Sequence, residues 1–74
     1  MVGSAVETYR EGEAWRNRVG WSEPLPGEFR TREAAAELGR DEARIRGVEH
    51  VIRRADGSVA ERRRYPRRAD ELPG

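Results

Sequence analysis

The chain has 74 residues and a mass of 8.5 kDa, and 39% of its residues are charged, so it is long enough for one small domain with only a thin apolar core. It has no cysteine and a single histidine, which excludes a disulfide framework and a thiolate metal site, and we expect neither a metal nor a cofactor. No apolar run is long enough to cross a bilayer, so the sequence predicts a cytoplasmic protein without a membrane partner.

Charge is distributed unevenly along the chain. All 15 basic residues are arginines and 14 residues are acidic, which gives a formal net charge of only +1. Residues 1–37 carry five arginines and seven acids, whereas residues 38–74 carry ten arginines and seven acids. Residues 44–68 alone hold nine arginines and three acids, a local net charge of +6. An asymmetry of this kind bears on binding partners rather than on the fold.

The N-terminal part of the chain is predicted to form a β-hairpin. We expect residues 1–5 to be a mobile leader, because they are small and have no pattern. Residues 6–10 favour extended backbone, and residues 11–13 contain the glycine of a tight turn. Residues 14–19 alternate in the manner of a half-buried strand that points its arginines outward.

A loop rich in glycine and proline follows at residues 20–27, and residues 28–30 are expected to return as a short third strand. Trp21 and Leu25 are the large apolar residues of this loop. They either fold back onto the edge of the sheet or form an exposed contact for another protein chain. The sequence leaves both alternatives open.

The middle of the chain has the start and stop signals of one helix. Thr31 is the expected N-cap, and the helix is predicted to run to about Arg46, with Gly47 in the left-handed conformation after it. A glycine inside a helix costs about 1 kcal/mol relative to alanine, so close packing is the expected compensation. Small residues four positions apart form one stripe of this helix: Ala35, Gly39 and Ala43.

A second hairpin is predicted after the helix. Residues 48–54 and 58–65 are extended runs, and Asp56-Gly57 between them is a strong signal for a hairpin turn with the glycine in a bulge. Pro66 ends the second strand because it has no backbone N–H to donate. Residues 67–74 form a polar tail without a packing pattern.

These elements predict an α+β fold in the order β-β-(β)-α-β-β, in which a small antiparallel sheet carries one helix on one face. A single domain is expected over residues 6–66. The expected core consists of the larger apolar residues of these elements: Tyr9, Trp15, Val19, Phe29, Leu38, Ile52, Val59 and Tyr65.

Short motifs in a particular order extend this interpretation. They are Tyr9 before the Gly12 turn, Trp15 with Asn17, Thr31-Arg32, Gly39-Arg40, Ala43-Arg44, the run from Gly47 to Ile52, Asp56-Gly57 and Tyr65. In these motifs, from about Tyr9 to Tyr65, the chain resembles a family of short bacterial proteins known as domain of unknown function 2188. The resemblance implies a compact α+β fold, and it implies no activity.

His50, next to Glu49, is the obvious candidate for catalysis. Adjacent residues of a strand point to opposite faces, so this pair cannot form a direct acid–base dyad. A packed, hydrogen-bonded histidine is the expected role for His50. No serine or threonine has the context of a nucleophile, and the glycines are too dispersed for a phosphate-binding loop. We therefore expect a protein that is not an enzyme.

The arginines of the second hairpin give the best functional signal. Alternation places Arg62 and Arg64 on one face of their strand and Arg63 on the other. A two-stranded ribbon of this kind suits the phosphates of DNA or RNA, although the same arginines would also keep a thin-cored hairpin soluble. The candidate nucleic-acid contacts are Arg53, Arg54, Arg62, Arg64, Arg67 and Arg68.

The alternative is a protein-interaction module or weak homodimer. It would use a sheet edge together with the loop residues Trp21 and Leu25. The sequence does not decide between this function and a monomer that binds nucleic acid.

Overall fold

The computed structural model describes residues 5–20 and 22–66, which form four strands and one helix. The elements are β1 (Val6–Glu11), β2 (Ala14–Val19), α1 (Arg32–Arg46), β3 (Glu49–Arg53) and β4 (Val59–Arg64). The strands form one sheet in the order β2-β1-β3-β4, and α1 packs against β1, β2 and β3. The predicted α+β fold with one helix on one face is confirmed. Nearly all of the predicted leader, and the whole predicted tail, lie outside the described residues.

Both predicted hairpins are present, and each depends on one glycine. Gly12 has φ +66° and is followed by Glu13 with negative φ, the combination of signs found in a type II′ turn. Gly57 has φ +94°, and its N–H donates to Arg54 O at 2.9 Å. Asp56 Oδ1 accepts from the N–H of Ser58 at 2.9 Å, which holds the second turn in a single geometry.

The prediction of a purely antiparallel sheet is wrong at the centre, where β1 and β3 are parallel. The path of the chain explains this. After β2, residues 22–30 run back along the outer edge of β2, and α1 then spans about 22 Å in the opposite direction. β3 therefore begins at the same end of the sheet as β1 and runs alongside it.

The predicted third strand at residues 28–30 is reduced to a single bridge. Phe29 and Trp15 exchange two backbone hydrogen bonds, of 2.8 and 2.9 Å. A second bridge joins Pro24 to Arg18. The segment between β2 and the helix thus covers the outer edge of β2 without forming a regular strand, because the prolines on this segment cannot donate to a ladder.

The helix boundaries agree with the prediction. Thr31 Oγ1 accepts from the N–H of Ala34 at 3.1 Å, which makes Thr31 the N-cap. At the other end Gly47 has φ +69°, and its N–H and that of Val48 bond to the carbonyls of the last helical turn. Both ends of α1 are therefore capped within the chain.

The core differs from the expected one. The apolar residues that are buried are small or medium in size: Val6, Ala35, Ala36, Ala43 and Val51. All eight larger residues predicted for the core are only half-buried. Tyr9 lies on the face away from the helix, since its neighbour Thr8 is buried on the helix side. The stripe of small residues brings α1 so close to the sheet that large side chains fit only around the contact.

A polar cluster lies at the centre of the contact between α1 and the sheet. It consists of Thr8, Asn17 and His50, which are each at most 2% exposed. Thr8 Oγ1 donates to Asn17 Oδ1 at 2.5 Å and lies 2.8 Å from His50 Nε2. Asn17 Nδ2 donates to Ala35 O at 3.0 Å, which ties the cluster to α1. Each buried polar group named here has a partner, as burial requires.

Gly39 lies directly over this cluster. A Cβ atom at position 39 would be 2.6 Å from Asn17 Oδ1, 2.6 Å from His50 Nε2 and 2.7 Å from Thr8 Oγ1. All three distances are shorter than a carbon atom tolerates. The close packing predicted to compensate for this glycine is confirmed, and its partners are polar.

We expect Gly39→Ala to lower the free energy of unfolding by about 1–3 kcal/mol, the usual cost of overpacking, although alanine normally stabilises a helix interior by about 1 kcal/mol. Urea unfolding followed by circular dichroism measures the change. The control is Ala34→Gly at an exposed position of the same helix, which should lose only the helix propensity. A Gly39→Ala protein more stable than the wild type would contradict this account of the interface.

Candidate nucleic-acid interface

The sheet face opposite α1 carries arginines from three of the four strands. Cross-strand register places Arg18, Glu7, Val51 and Arg62 in one row across the sheet. Side chains two positions apart along a strand share this face. We call the following set the arginine face: Arg16, Arg18, Arg53, Arg62 and Arg64. No described segment of the chain covers it with a second layer.

Glu7 holds two of these arginines in place. Arg18 Nε donates to Glu7 Oε1 at 2.8 Å, and Arg53 Nε donates to Glu7 Oε2 at 2.7 Å. Burial raises the pKa of Glu7, but hydrogen bonds from Arg53 and Arg18 outweigh this effect and hold the pKa below its ordinary value of 4.5. Because each guanidinium uses its Nε on Glu7, terminal N–H groups remain for a ligand.

The two arginines that sequence alternation placed together do share this face, on the edge strand β4. The side chain of Arg62 is 57% exposed and lies 3.9 Å from Glu49, a surface ion pair of small energetic value. Arg64 is exposed, and no ion pair to it is found among the described residues. Arg63 points to the opposite face, where it pairs with Glu61 at 3.2 Å.

The other predicted arginines have structural contacts or lie outside the described residues. Arg53, besides its bond to Glu7, donates to Gly57 O at 2.8 Å. Arg54 donates to Val59 O at 2.8 Å and so braces the hairpin turn. Arg67 and Arg68 lie outside the described residues. The prediction included neither Arg16 nor Arg18, whose only signal was their outward position on β2.

The two sheet edges differ. On the β2 side, the N–H of Leu25 donates to Asn17 O at 2.8 Å, and Leu25 O accepts from Arg16 Nη2 at 3.2 Å. Leu25 is half-buried against this edge, whereas Trp21 lies outside the described residues. On the β4 side, no strand of the described part pairs with the outer edge.

His50 has the packed, hydrogen-bonded position expected for it, on the helix side of the sheet. The Thr8 hydroxyl proton is used on Asn17 Oδ1, so Thr8 Oγ1 accepts from His50 Nε2–H. Burial lowers the pKa of His50 from the ordinary value of 6.5, and the nearby Arg40 cation lowers it further, against an opposing effect of Glu61. The imidazole is therefore neutral at pH 7.

A cleft of about 370 Å³ lies beside His50, between α1 and β4. Arg40 and Arg44 form its helix wall, and the guanidinium of Arg44 lies 5.5 Å from the centre of the Tyr65 ring. The remaining lining residues come from β3 and β4: Ile52, Glu61 and Arg63. The cleft exists because α1 packs against β1, β2 and β3, while β4 extends beyond it.

Residues 5–20 and 22–66 contain neither a metal-binding cluster nor a membrane-spanning helix. No group of three or more histidine, aspartate or glutamate side chains is placed to hold a metal ion. No helix there is long and apolar enough to cross a membrane.

The architecture of the described residues defines a class: a small α+β domain with a four-stranded mixed sheet and one helix. Residues 6–65 match the model of the family described as "Uncharacterized protein conserved in bacteria (DUF2188)". The chain belongs to this family, which confirms the resemblance found in its motifs. No curated protein and no solved structure gives a significant match to the chain.

The lowered pKa of His50 predicts how stability depends on pH. As pH falls below 6.5, the unfolded chain binds more protons than the folded one. Neutral His50 therefore makes its full contribution to the free energy of unfolding only above pH 6.5. This contribution is lost as pH falls through the lowered pKa of the folded state. His50→Gln keeps an N–H donor for Thr8 and does not titrate.

We therefore expect the wild type to lose more unfolding free energy than His50→Gln between about pH 7.5 and pH 5. Urea unfolding at several pH values measures the difference. Glu7 contributes a further loss in both proteins below its ordinary pKa of 4.5, so the comparison is made above that range. Equal losses in the two proteins would show that His50 does not titrate in this way.

Proposed function

We propose that this protein is a non-enzymatic binding module that contacts the phosphates of DNA or RNA through its arginine face, within the cytoplasm. The observation that carries the proposal is the convergence of arginines from three strands on the sheet face opposite α1, where Arg62 and Arg64 are exposed. Guanidinium groups suit phosphate because they offer several N–H donors in a planar fork. Such contacts give affinity without reading the base sequence.

The spacing of these arginines supports a nucleic-acid backbone as the ligand. Arg18 on β2 and Arg62 on β4 lie in one row. Three inter-strand spacings separate them, which corresponds to about 14 Å across the sheet. This distance is comparable to the width of the major groove of B-DNA, about 12 Å, so the two edges of the face could contact both phosphate backbones. Glu7 orients Arg18 from the side, which reduces the side-chain entropy lost on binding.

Contacts in the described structure divide the predicted arginines into two groups. Arg62 and Arg64 are exposed and available to a ligand. Arg53 and Arg54 donate to carbonyl groups of their own hairpin, so their replacement would also disturb the turn. The proposal therefore depends mainly on Arg62 and Arg64, with Arg18 as the expected third contact.

We expect labelled duplex DNA or single-stranded RNA to bind the wild type in a strongly salt-dependent manner. If three phosphates are neutralised, affinity should fall about 40-fold for duplex DNA, and about 18-fold for single-stranded RNA, between about 50 and 200 mM salt. Fluorescence anisotropy measures the affinity. The double variant Arg62→Glu with Arg64→Glu should abolish binding and leave the thermal midpoint nearly unchanged, because exposed ion pairs contribute little to stability.

The matched control is Arg10→Glu with Arg30→Glu, which changes the net charge equally at exposed residues outside the arginine face. It should retain most of the affinity. Its thermal midpoint is measured as well, because Arg10 Nε donates to Gly12 O in the first hairpin turn. Unaltered binding by the Arg62 and Arg64 double variant would remove the proposal. Equal losses in the two double variants would mean that only net charge matters, which would also remove it.

A protein-interaction or homodimer module is the second candidate. The observation in its favour is the outer edge of β4, which no other described strand pairs, whereas residues 22–30 cover the edge of β2. Edge strands are templates for pairing with another chain. In this function the β4 edge would be one contact, and the predicted contact residues Trp21 and Leu25 would belong to a separate one, since Leu25 lies beside the β2 edge.

Sedimentation equilibrium at two protein concentrations tests the homodimer. Pairing through β4 predicts a weight-average mass that rises with concentration above the monomer mass of 8.5 kDa. The control is the wild type at high salt. Salt screens the repulsion between two arginine-rich edges, so it should favour their pairing. A monomer under all conditions would exclude self-association and leave only a different protein as partner.

A further inference from the structure

We propose that the cleft between α1 and β4 is a binding site for a phosphate group that carries two negative charges. The cleft lies on the helix side of the sheet, so it is separate from the arginine face. Its volume of about 370 Å³ is at the lower end of the range for small-molecule sites. The inference does not depend on the function proposed above.

Three guanidinium groups line this cleft from two different elements. Arg40 and Arg44 come from α1, and Arg63 comes from β4. One acidic residue, Glu61, lies among them and pairs with Arg63 at 3.2 Å. The charged residues of the lining therefore have a net charge of +2, which matches a phosphate dianion. A ligand held between α1 and β4 would bridge two elements that have little other contact.

The buried surface of the cleft adds a proton donor. His50 Nε2 is engaged by Thr8, so Nδ1 is the ring nitrogen that remains. No hydrogen bond to Nδ1 is found among the described residues. His50 lines the cleft, so Nδ1 is the ring nitrogen that could reach a ligand there. Protonated Nδ1 would donate to a phosphate oxygen.

Binding of the dianion is thus coupled to protonation of His50. Without ligand, burial and Arg40 disfavour the imidazolium, while Glu61 favours it. Arg44 and Arg63 add positive charge at the walls of the cleft, and Thr8 and Asn17 below it are uncharged. A bound phosphate places negative charge beside the ring, so it must raise the pKa of His50, and by linkage the affinity for the dianion must rise when His50 is protonated.

Proton NMR of the full chain tests this directly, because a single histidine gives one set of imidazole signals. The pKa of His50 is measured with and without inorganic phosphate at constant ionic strength, with chloride as the replacement anion. We expect phosphate to raise the pKa by about one unit, the effect of an opposite charge within about 4–6 Å. No rise beyond that seen with chloride would overturn the proposal.

Single arginine variants show whether the cleft is the site. Arg40→Gln and Arg63→Gln should each reduce the shift caused by phosphate, measured from the baseline of each variant. Arg30→Gln removes the same charge from an exposed residue that does not line the cleft, and it should keep the full shift. An equal shift in all three variants would mean a general salt effect and would overturn the proposal.

Two sources of such a phosphate are distinguished by the choice of ligand. A nucleoside 5′-monophosphate is compared with the same nucleoside, and an oligonucleotide with a 5′-phosphate is compared with one without it. Half-maximal His50 pKa shifts at equal concentrations of the monophosphate and the phosphorylated oligonucleotide identify a small phosphate monoester. A half-maximal shift at a lower concentration of the phosphorylated oligonucleotide identifies a nucleic-acid end. If neither phosphorylated ligand raises the pKa of His50, the proposal fails even when oligonucleotides bind the arginine face.

Discussion

The contact of Gly39 with the buried polar cluster of Thr8, Asn17 and His50 sets the distance between the helix and the sheet. No Cβ atom fits at position 39, because three polar atoms would lie within 2.7 Å of it. Thr8 Oγ1 bonds to both Asn17 Oδ1 and His50 Nε2, and Asn17 Nδ2 ties the cluster to the helix through Ala35 O. Hydrogen bonds between buried polar groups demand one geometry, so this interface gains orientation from polar contacts that a purely apolar core of this size would lack.

The surfaces of the protein follow from this close interface. A helix that packs through Ala35, Gly39 and Ala43 occupies little width, so it covers three strands and leaves β4 beyond it. The space beside the helix becomes the cleft that His50 lines. The opposite side of the sheet has no second layer in the described structure. Arginines therefore lie on it, and the charged ends of Arg62 and Arg64 at the β4 edge remain in solvent.

Much of the local structure could be predicted from the residues themselves. The cap at Thr31, the left-handed Gly47 and the two glycine turns each depend on neighbours within a few positions, so their signals are local. Alternation also placed Arg62 and Arg64 together. It could not place Arg18 with them, because that requires the order of strands in the sheet. The prediction of the core residues was wrong for a related reason. Large apolar residues are usually the buried ones, but the stripe of small residues brings the helix too close to the sheet to leave room for them.

The sequence by itself determined the class of the fold, the two hairpins, the helix with both of its caps and the alternation of arginines along each strand. These properties follow from the conformational preferences of residues close together in the chain. Only the tertiary structure decided that β1 and β3 run parallel and that Glu7 orients Arg18 and Arg53. It also decided that His50 packs against Gly39 of the helix. Each of these depends on contacts between residues distant in the sequence, and such contacts depend on the path of the whole chain and on the space that the helix leaves.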